Sequence, residues 1–582
     1  MTNHLSIFLF ALLAFFSLSA EEVLPLRSAI GEPDPLASAD ALPGGTITEY
    51  LGPSPKSLNY YLDANTMSAR IFDYLYESLL SMDPQTLEYD RAIASKWTVS
   101  EDKKTFTFWI DPKARWSDGR SITAEDVVWT YQAIVDPKNL TGSHKLSLER
   151  LNPPEIVDEG KAVRFTAKSV HWENLGAAGG FSILPKHVFA SMDFNKINFD
   201  FPVVSGPYRI VDFQENVSLT LKKRNDWWRA DWPIFQGCYN FETVVCRFFA
   251  ERENALDAFL KGEIDLFPVY TASQWHEIEQ RVKAVRNNWI VKQEVVNHAP
   301  IGFQGFAMNM RRPPFDDKRV RKAMALLLDR ETMNRTLMYS QYFLHRSYWE
   351  DLYDEKNPCP NPLTPFDKEA ARDLLAQAGY HPNPQTGILE KDGKPFTFTF
   401  LNRGGTSAKF LAIYDQALKD VGIQMNIQNK DWSAWAKDMD SFAFDMTWAA
   451  WGAGLFKDPE GMWSSAEATR TGGANICGFQ NPQVDELIEK TKPLFDVTQR
   501  HEIVRQIDKL IFQEYPYVLL WNTASHRLLY WNKFGTPPTV LGRYSDESTY
   551  YWWADPDMED ELKDAMENQL PLPSHPPKVV IP

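Results

Sequence analysis

Arg403 follows the strand-like run Phe396-Thr397-Phe398-Thr399-Phe400 and precedes Gly404 and Gly405, with a helix start at Thr406 or Ser407. Such a turn aims backbone N–H groups from the positive end of a helix, which suits an anion. A guanidinium there can grip a carboxylate through two parallel hydrogen bonds. The competing reading of Arg403 is a solvated surface position. Trp448 and Trp451 share one strand-like stretch and are expected to project from the same side, where they can stack on sugar rings or peptide planes; core packing is the alternative. Trp432 and Trp435 have helical spacing and are expected in the core.

Catalytic patterns are missing. The chain has no G-x-S-x-G elbow, no H-E-x-x-H and no P-loop. Gly452-Ala453-Gly454 begins like a dinucleotide loop, but Lys457 stands where the third glycine belongs. Acidic pairs such as Asp438 and Asp440 are unremarkable among 77 carboxylates. Two of them set across a glycosidic bond would make a carbohydrate hydrolase, the enzyme alternative, and sequence spacing does not select such a pair. No enzyme activity is expected.

The elements that must hold these residues are strands and helices in alternation. Thr105-Phe106-Thr107-Phe108-Trp109-Ile110 has the period of a half-buried strand. Thr123 with Asp126, Asp316, Asp367 with Gly379, and Asn481-Pro482 mark helix ends. The class is α/β, and at 582 residues the chain is long enough for two or three subdomains.

Apolar residues make up 44% and charged residues 24%, which excludes a disordered or fibrous chain. A net charge of −16 without a basic run argues against nucleic acid as partner. Residues 1–20 read as a signal peptide, with an apolar run over 7–16 and small residues before Glu21. The run is too short to span a bilayer. Cys238 is the first cysteine, so an N-terminal lipidated cysteine is not available. The expected product is exported, soluble and not a lipoprotein. Proline-rich residues 21–44 read as a flexible leader and 561–582 as a C-terminal tail. The cysteines, Cys238, Cys246, Cys359 and Cys477, lack metal-ligand spacing, so no metal or cofactor is expected. Cys238 and Cys246 are the candidate disulfide, against buried free thiols.

A series of segments in order changes the picture. Arg70-Ile71-Phe72-Asp73-Tyr74-Leu75-Tyr76-Glu77 is followed by Trp116-Ser117-Asp118-Gly119 and Thr123-Ala124-Glu125-Asp126. Then come Ser205-Gly206-Pro207-Tyr208, Gly262-Glu263-Ile264-Asp265, Pro314-Phe315-Asp316-Asp317 and Asn481-Pro482. The set resembles extracellular solute-binding protein family 5. Arg527-Leu528, Tyr530-Trp531-Asn532 and Tyr551-Trp552-Trp553 resemble its oligopeptide and microcin C-binding branch.

The resemblance implies a two-lobed periplasmic binding protein fold (type II, cluster C) with an extra α/β subdomain and a hinge. Lobe I would comprise 45–76, 201–300 and 525–560, the extra subdomain 77–200, and lobe II 301–524. It implies a periplasmic, monomeric substrate-binding protein of an ABC importer, whose partners are a peptide or other small-molecule ligand and the permease subunits. Oligopeptides or peptide-containing compounds such as muropeptides are the expected ligands; an oligosaccharide or another polar solute is the runner-up, and a scaffold without transport a third reading. By position, Asn65 and Thr66 match a pocket loop. Where relatives place an aspartate after a tryptophan to pair a peptide amino group, this chain has Gly454 or Leu455; Asp458 can substitute, or can simply turn the chain before Pro459.

Overall fold

Phe106 and Phe108 are fully buried in the strand Thr105–Ile110, the centre of a five-stranded antiparallel sheet, as the alternation of that segment requires. In the computed structural model, which describes residues 21–23, 31–62, 66–142, 144–404 and 407–581, this sheet builds the extra subdomain. A second, eight-stranded sheet forms lobe I. Its central strand Thr46–Tyr50 runs parallel to both Thr243–Arg247 and Leu266–Pro268. The third sheet forms lobe II, with Thr397–Asn402 parallel to Gln424–Asn429 and to Met446–Trp451, and Phe303–Met308 antiparallel to Met446–Trp451.

The chain passes from lobe I to lobe II through 297–302 and returns through 520–525. Two short crossings restrict relative motion to a hinge. The lobe I sheet and the subdomain share a core containing Ile47, Trp97 and Trp552. Lobe II packs both faces of its sheet, one around Phe306, Phe400 and Tyr414, the other around Phe303, Trp463 and Tyr517. Phe303 and Phe306 fall on opposite faces because their separation in the strand is odd.

The helix-start signals hold, with one shift. Thr123 N–H donates to Asp126 Oδ2 at 2.8 Å, closing one side of a capping box. Asp367 accepts from the Ala370 amide at 2.9 Å, and Asn481 accepts from those of Gln483 and Val484. The cap before Lys318–Leu326 is Asp317 rather than Asp316, because Asp317 accepts the Arg319 amide at 2.8 Å and its side chain as well.

Three expectations are corrected or left aside. The described parts of the stretches read as a leader and a tail are built into the fold. Glu21–Val23 pairs with the strand Ala94–Val99, and buried Asp34 accepts the Tyr551 hydroxyl at 2.9 Å. At the other end the helix Pro556–Glu567 packs on lobe I, and Lys578–Val580 extends its sheet beside Ile290–Val296. Proline lacks a donor but keeps its carbonyl: Pro577 O accepts Glu294 N–H and Pro576 O accepts Gln293 Nε2, which is the chemistry of a sheet edge. Cys238 and Cys246 are unlinked; both thiols fill the lobe I core, and burial pushes both up. The expected signal segment 1–20 lies outside the described residues.

Candidate functional site

The strand Met446–Trp451 ends at the cleft, and the loop 452–458 that follows it faces lobe I and the subdomain. Lys457 fixes the shape of this loop. Its side chain is buried, donates to Gly454 O at 3.0 Å and pairs with Asp351 at 2.5 Å. Gly302, in the first crossing, lies against the Trp451 carbonyl so closely that a Cβ would overlap it.

The loop borders three cavities. Gly454, Phe456 and Asp458 line about 260 Å³ together with Tyr348 and Trp349. Phe456 also lines about 530 Å³ with Tyr60, Tyr61, Tyr89 and Trp172, a pocket walled by rings. Leu455 reaches a third space of about 360 Å³ with Arg229, Tyr239, Tyr544 and Glu547. At the hinge, a cavity of about 400 Å³ lies between the C-terminal ends of Thr46–Tyr50 and Leu266–Pro268 and the two crossings. Sites of this size at the carboxyl ends of parallel strands suit small ligands.

The lobe I wall is acidic around one cation. Arg70 sits among Glu49, Asp546 and Glu547, and against a burial cost these carboxylates, Glu49 foremost, raise its pKa. Glu49 is buried and accepts from Ser548 Oγ at 3.1 Å; burial pushes its carboxyl up. Burial also pushes Glu547 up to about 7, with Arg70 opposing.

Contacts bridge the cleft at both ends. On the subdomain side, Trp172 N–H donates to Lys492 O at 2.9 Å, its ring lies 5.9 Å from that of Phe456, and the Arg500 guanidinium stacks 4.0 Å from it. Beside it, Glu460 pairs with Lys492 at 2.7 Å and with Arg150 at 3.4 Å. Against burial, Lys492 holds the Glu460 carboxyl below its usual value. Burial, then Arg150, hold His171 down to about 4. On the hinge side, the Tyr342 hydroxyl donates to Tyr270 O and that of Tyr339 to Glu277, both at 2.8 Å.

The structure separates residues that sequence reading grouped. Trp448 and Trp451 are three apart in a regular strand and therefore point to opposite faces. Trp448 donates to Gln304 Oε1 at 3.0 Å and packs against Phe306, Phe410 and Trp521, while Trp451 donates to the Tyr517 hydroxyl at 3.1 Å on the other face. Gln304 and Trp521 line the hinge cavity, so Trp448 braces that wall from behind. Arg403 is exposed, with its guanidinium 5.1 Å from the ring of Trp432 and 5.2 Å from that of Trp435. Trp435 is core, but Trp432 is 60% exposed. Asp458 lies at the cleft, 3.9 Å from Arg150, and accepts the Glu460 amide at 2.9 Å. Thr66 opens the helix Thr66–Asp73; Asn65 lies outside the described residues. Arg70, Trp172, Phe456 and Arg527 were not singled out from the sequence as contacts, although Arg70 and Arg527 stand inside the segments that carry the family resemblance.

Comparison with known proteins follows the same lines. The profile of bacterial extracellular solute-binding proteins, family 5 (middle), matches residues 88–473. A putative binding protein of Brucella suis is 26% identical over 568 residues, covering 89% of this chain and 91% of that protein. The peptidoglycan-binding protein YepA of Agrobacterium fabrum is 25% identical, covering 89% of this chain and 92% of that one. The solved oligopeptide-binding protein AppA of Bacillus subtilis, in complex with a nonapeptide, superposes with a TM-score of 0.71 at 22% identity, covering 88% of this chain and all of its own.

Proposed function

The chain belongs to the bacterial extracellular solute-binding proteins of family 5, and from that premise we propose that it captures oligopeptides or peptide-containing compounds between its lobes and delivers them to an ABC importer permease. The observation that carries this reading is the set of three cavities that loop 452–458 borders, with rings, carboxylates and a cation on their walls. A peptide offers apolar side chains and a charged end to such a surface. The related proteins named for peptide and peptidoglycan binding support the same ligand class. The ring-walled space beside Phe456 favours muropeptides among these, because sugar rings stack on aromatic faces. Asp458 lines the cavity beside Tyr348 and Trp349, whereas Arg403 lies exposed against Trp432 and Trp435.

In this reading the protein works as a monomer in the periplasm after removal of residues 1–20, without a lipid anchor, cofactor or catalytic step, and does not engage nucleic acid. Among the described residues no helix is long and apolar enough to cross a membrane. Native purification followed by mass spectrometry of bound small molecules tests the proposal. An intact peptide or muropeptide is the expected finding; a sugar without peptide, or a ligand recovered in cleaved form, contradicts it.

A further inference from the structure

The two crossings are tied to each other by side chains. Asn297 opens the first crossing, and His526 follows the second at the start of the strand His526–Trp531. The Asn297 amide is fully committed. Its Nδ2 donates to Gly542 O at 2.9 Å and to Ser545 O at 3.0 Å. Its Oδ1 therefore points the other way, where it accepts the Ala299 amide at 3.1 Å and meets His526 Nε2 at 3.0 Å. A carbonyl oxygen has no proton to give, so the proton of that last bond sits on Nε2, and in the neutral imidazole Nδ1 is then a bare acceptor. Nδ1 meets no donor among the described residues and, unlike both ring nitrogens of the sealed His345, keeps accessible surface. His526 lines the hinge cavity of about 400 Å³. Burial holds its imidazole below the usual value, with Asp546 opposing, which leaves it mostly neutral at pH 7.

We propose that His526 is a ligand contact of the hinge cavity, in which Nδ1 accepts an N–H of the bound peptide, so that capture is coupled to loss of the histidine's proton. The inference rests on the peptide reading of the cleft and adds a group at the hinge that reads the ligand. A peptide carries an N–H at nearly every residue, so such an acceptor suits the ligand class without selecting a side chain. The groups around the histidine leave this role to it. Glu49, Arg70 and Asp546 line the same cavity but interact with one another, and Arg527, Tyr270 and Tyr342 complete the titratable wall. In the paired strand Ile290–Val296 the residue opposite His526 is the uncharged Val295, and His298, beside Asn297, packs against the Tyr544 ring. Protonation would put a second N–H on Nδ1, facing the ligand's own N–H, and would add a positive charge. Binding that needs the neutral form therefore weakens as pH falls through the histidine's titration, below its ordinary 6.5. Because Asn297 ties His526 to the first crossing, a ligand held on Nδ1 engages both crossings at once.

Titration calorimetry with tri-alanine and penta-alanine at pH 7 and pH 5 tests this on the full mature chain, since the peptide termini keep their charges across that range. Glu547 and Asp73 also titrate there, at about 7 and about 6, so the readout is the difference between the unaltered protein and His526→Asn. The asparagine offers an acceptor near the place of Nδ1 and takes up no proton. It should bind within about twofold of the unaltered protein at pH 7, and the unaltered protein should fall behind it by roughly threefold or more at pH 5. His526→Gln restores the bond to Asn297 without an acceptor in the cavity and should weaken binding about fivefold at pH 7; it serves if the asparagine variant does not fold. Imidazole nitrogen NMR of the ligand-free protein, with His526 identified by the signal its replacement removes, should show the Nε2–H tautomer at pH 7. A proton on Nδ1 at that pH, the same pH dependence with and without His526, or undiminished affinity in His526→Gln overturns the contact while leaving peptide capture standing. Failure of both peptides to bind at either pH overturns the peptide reading and this inference with it.

Discussion

At the scale of single residues, the cleft is set by charges whose partners are identifiable. Lys457 holds loop 452–458 through Asp351 and Gly454, and its amino group is buried. Lys457→Ala leaves Asp351 without its cation and frees the loop; we expect a loss of about 2 kcal/mol in urea unfolding and weaker ligand binding. Glu547 makes the opposite contribution. Its folded pKa, about 7, stands above the usual 4.5. Between those values the folded state binds the extra proton, so stability falls as pH rises through that window and is lowest when the carboxyl is ionised. Glu547→Gln should therefore stabilise the unliganded protein by on the order of 1 kcal/mol at pH 8 and leave it unchanged at pH 4. Thermal melts across pH check this. Neither role was legible in the sequence. Lys457 stood out only as the residue that spoils a dinucleotide-loop pattern, and the Glu547 environment arises from burial and then from Arg70 and Asp73, distant in the chain.

At the scale of elements, closure depends on the crossings and on the contact between subdomain and lobe II. Glu460 joins Lys492 of its own lobe to Arg150 of the subdomain. These side chains are partly solvated, so Glu460→Gln should cost about 1 kcal/mol of the closed form and speed ligand dissociation several-fold, with association little changed. Stopped-flow fluorescence can follow this through Trp172. Gly302→Ala places a methyl group on the Trp451 carbonyl and should displace the crossing, lowering affinity without altering the subdomain. Strands and helix caps were largely readable from local pattern: Thr105–Ile110 from alternation, Asp367 and Asn481 from capping chemistry. The direction of Trp448 and Trp451 was misread because a spacing of three reverses the face in a strand. The terminal segments were misread because proline marks a flexible linker and a sheet edge alike, and only the partner Ile290–Val296 distinguishes them.

At the scale of the molecule, two sheets joined by two short crossings form a device that traps a solute by closing on it. The architecture was legible chiefly through ordered family-like segments, since the alternation of strand and helix patterns pointed only to an α/β class. The candidate ligand site was not, because its walls come from many separated stretches of chain that only folding brings together. The most direct test is titration of the ligand-free mature protein with alanine peptides and a muropeptide, followed by small-angle scattering of the saturated sample. Saturable binding with the ligand recovered intact is predicted, together with a smaller radius of gyration and a stability gain of about 2.7 kcal/mol at a hundredfold excess over the dissociation constant. No binding to any peptide-containing ligand, or binding that leaves both stability and dimensions unchanged, would contradict capture between the lobes.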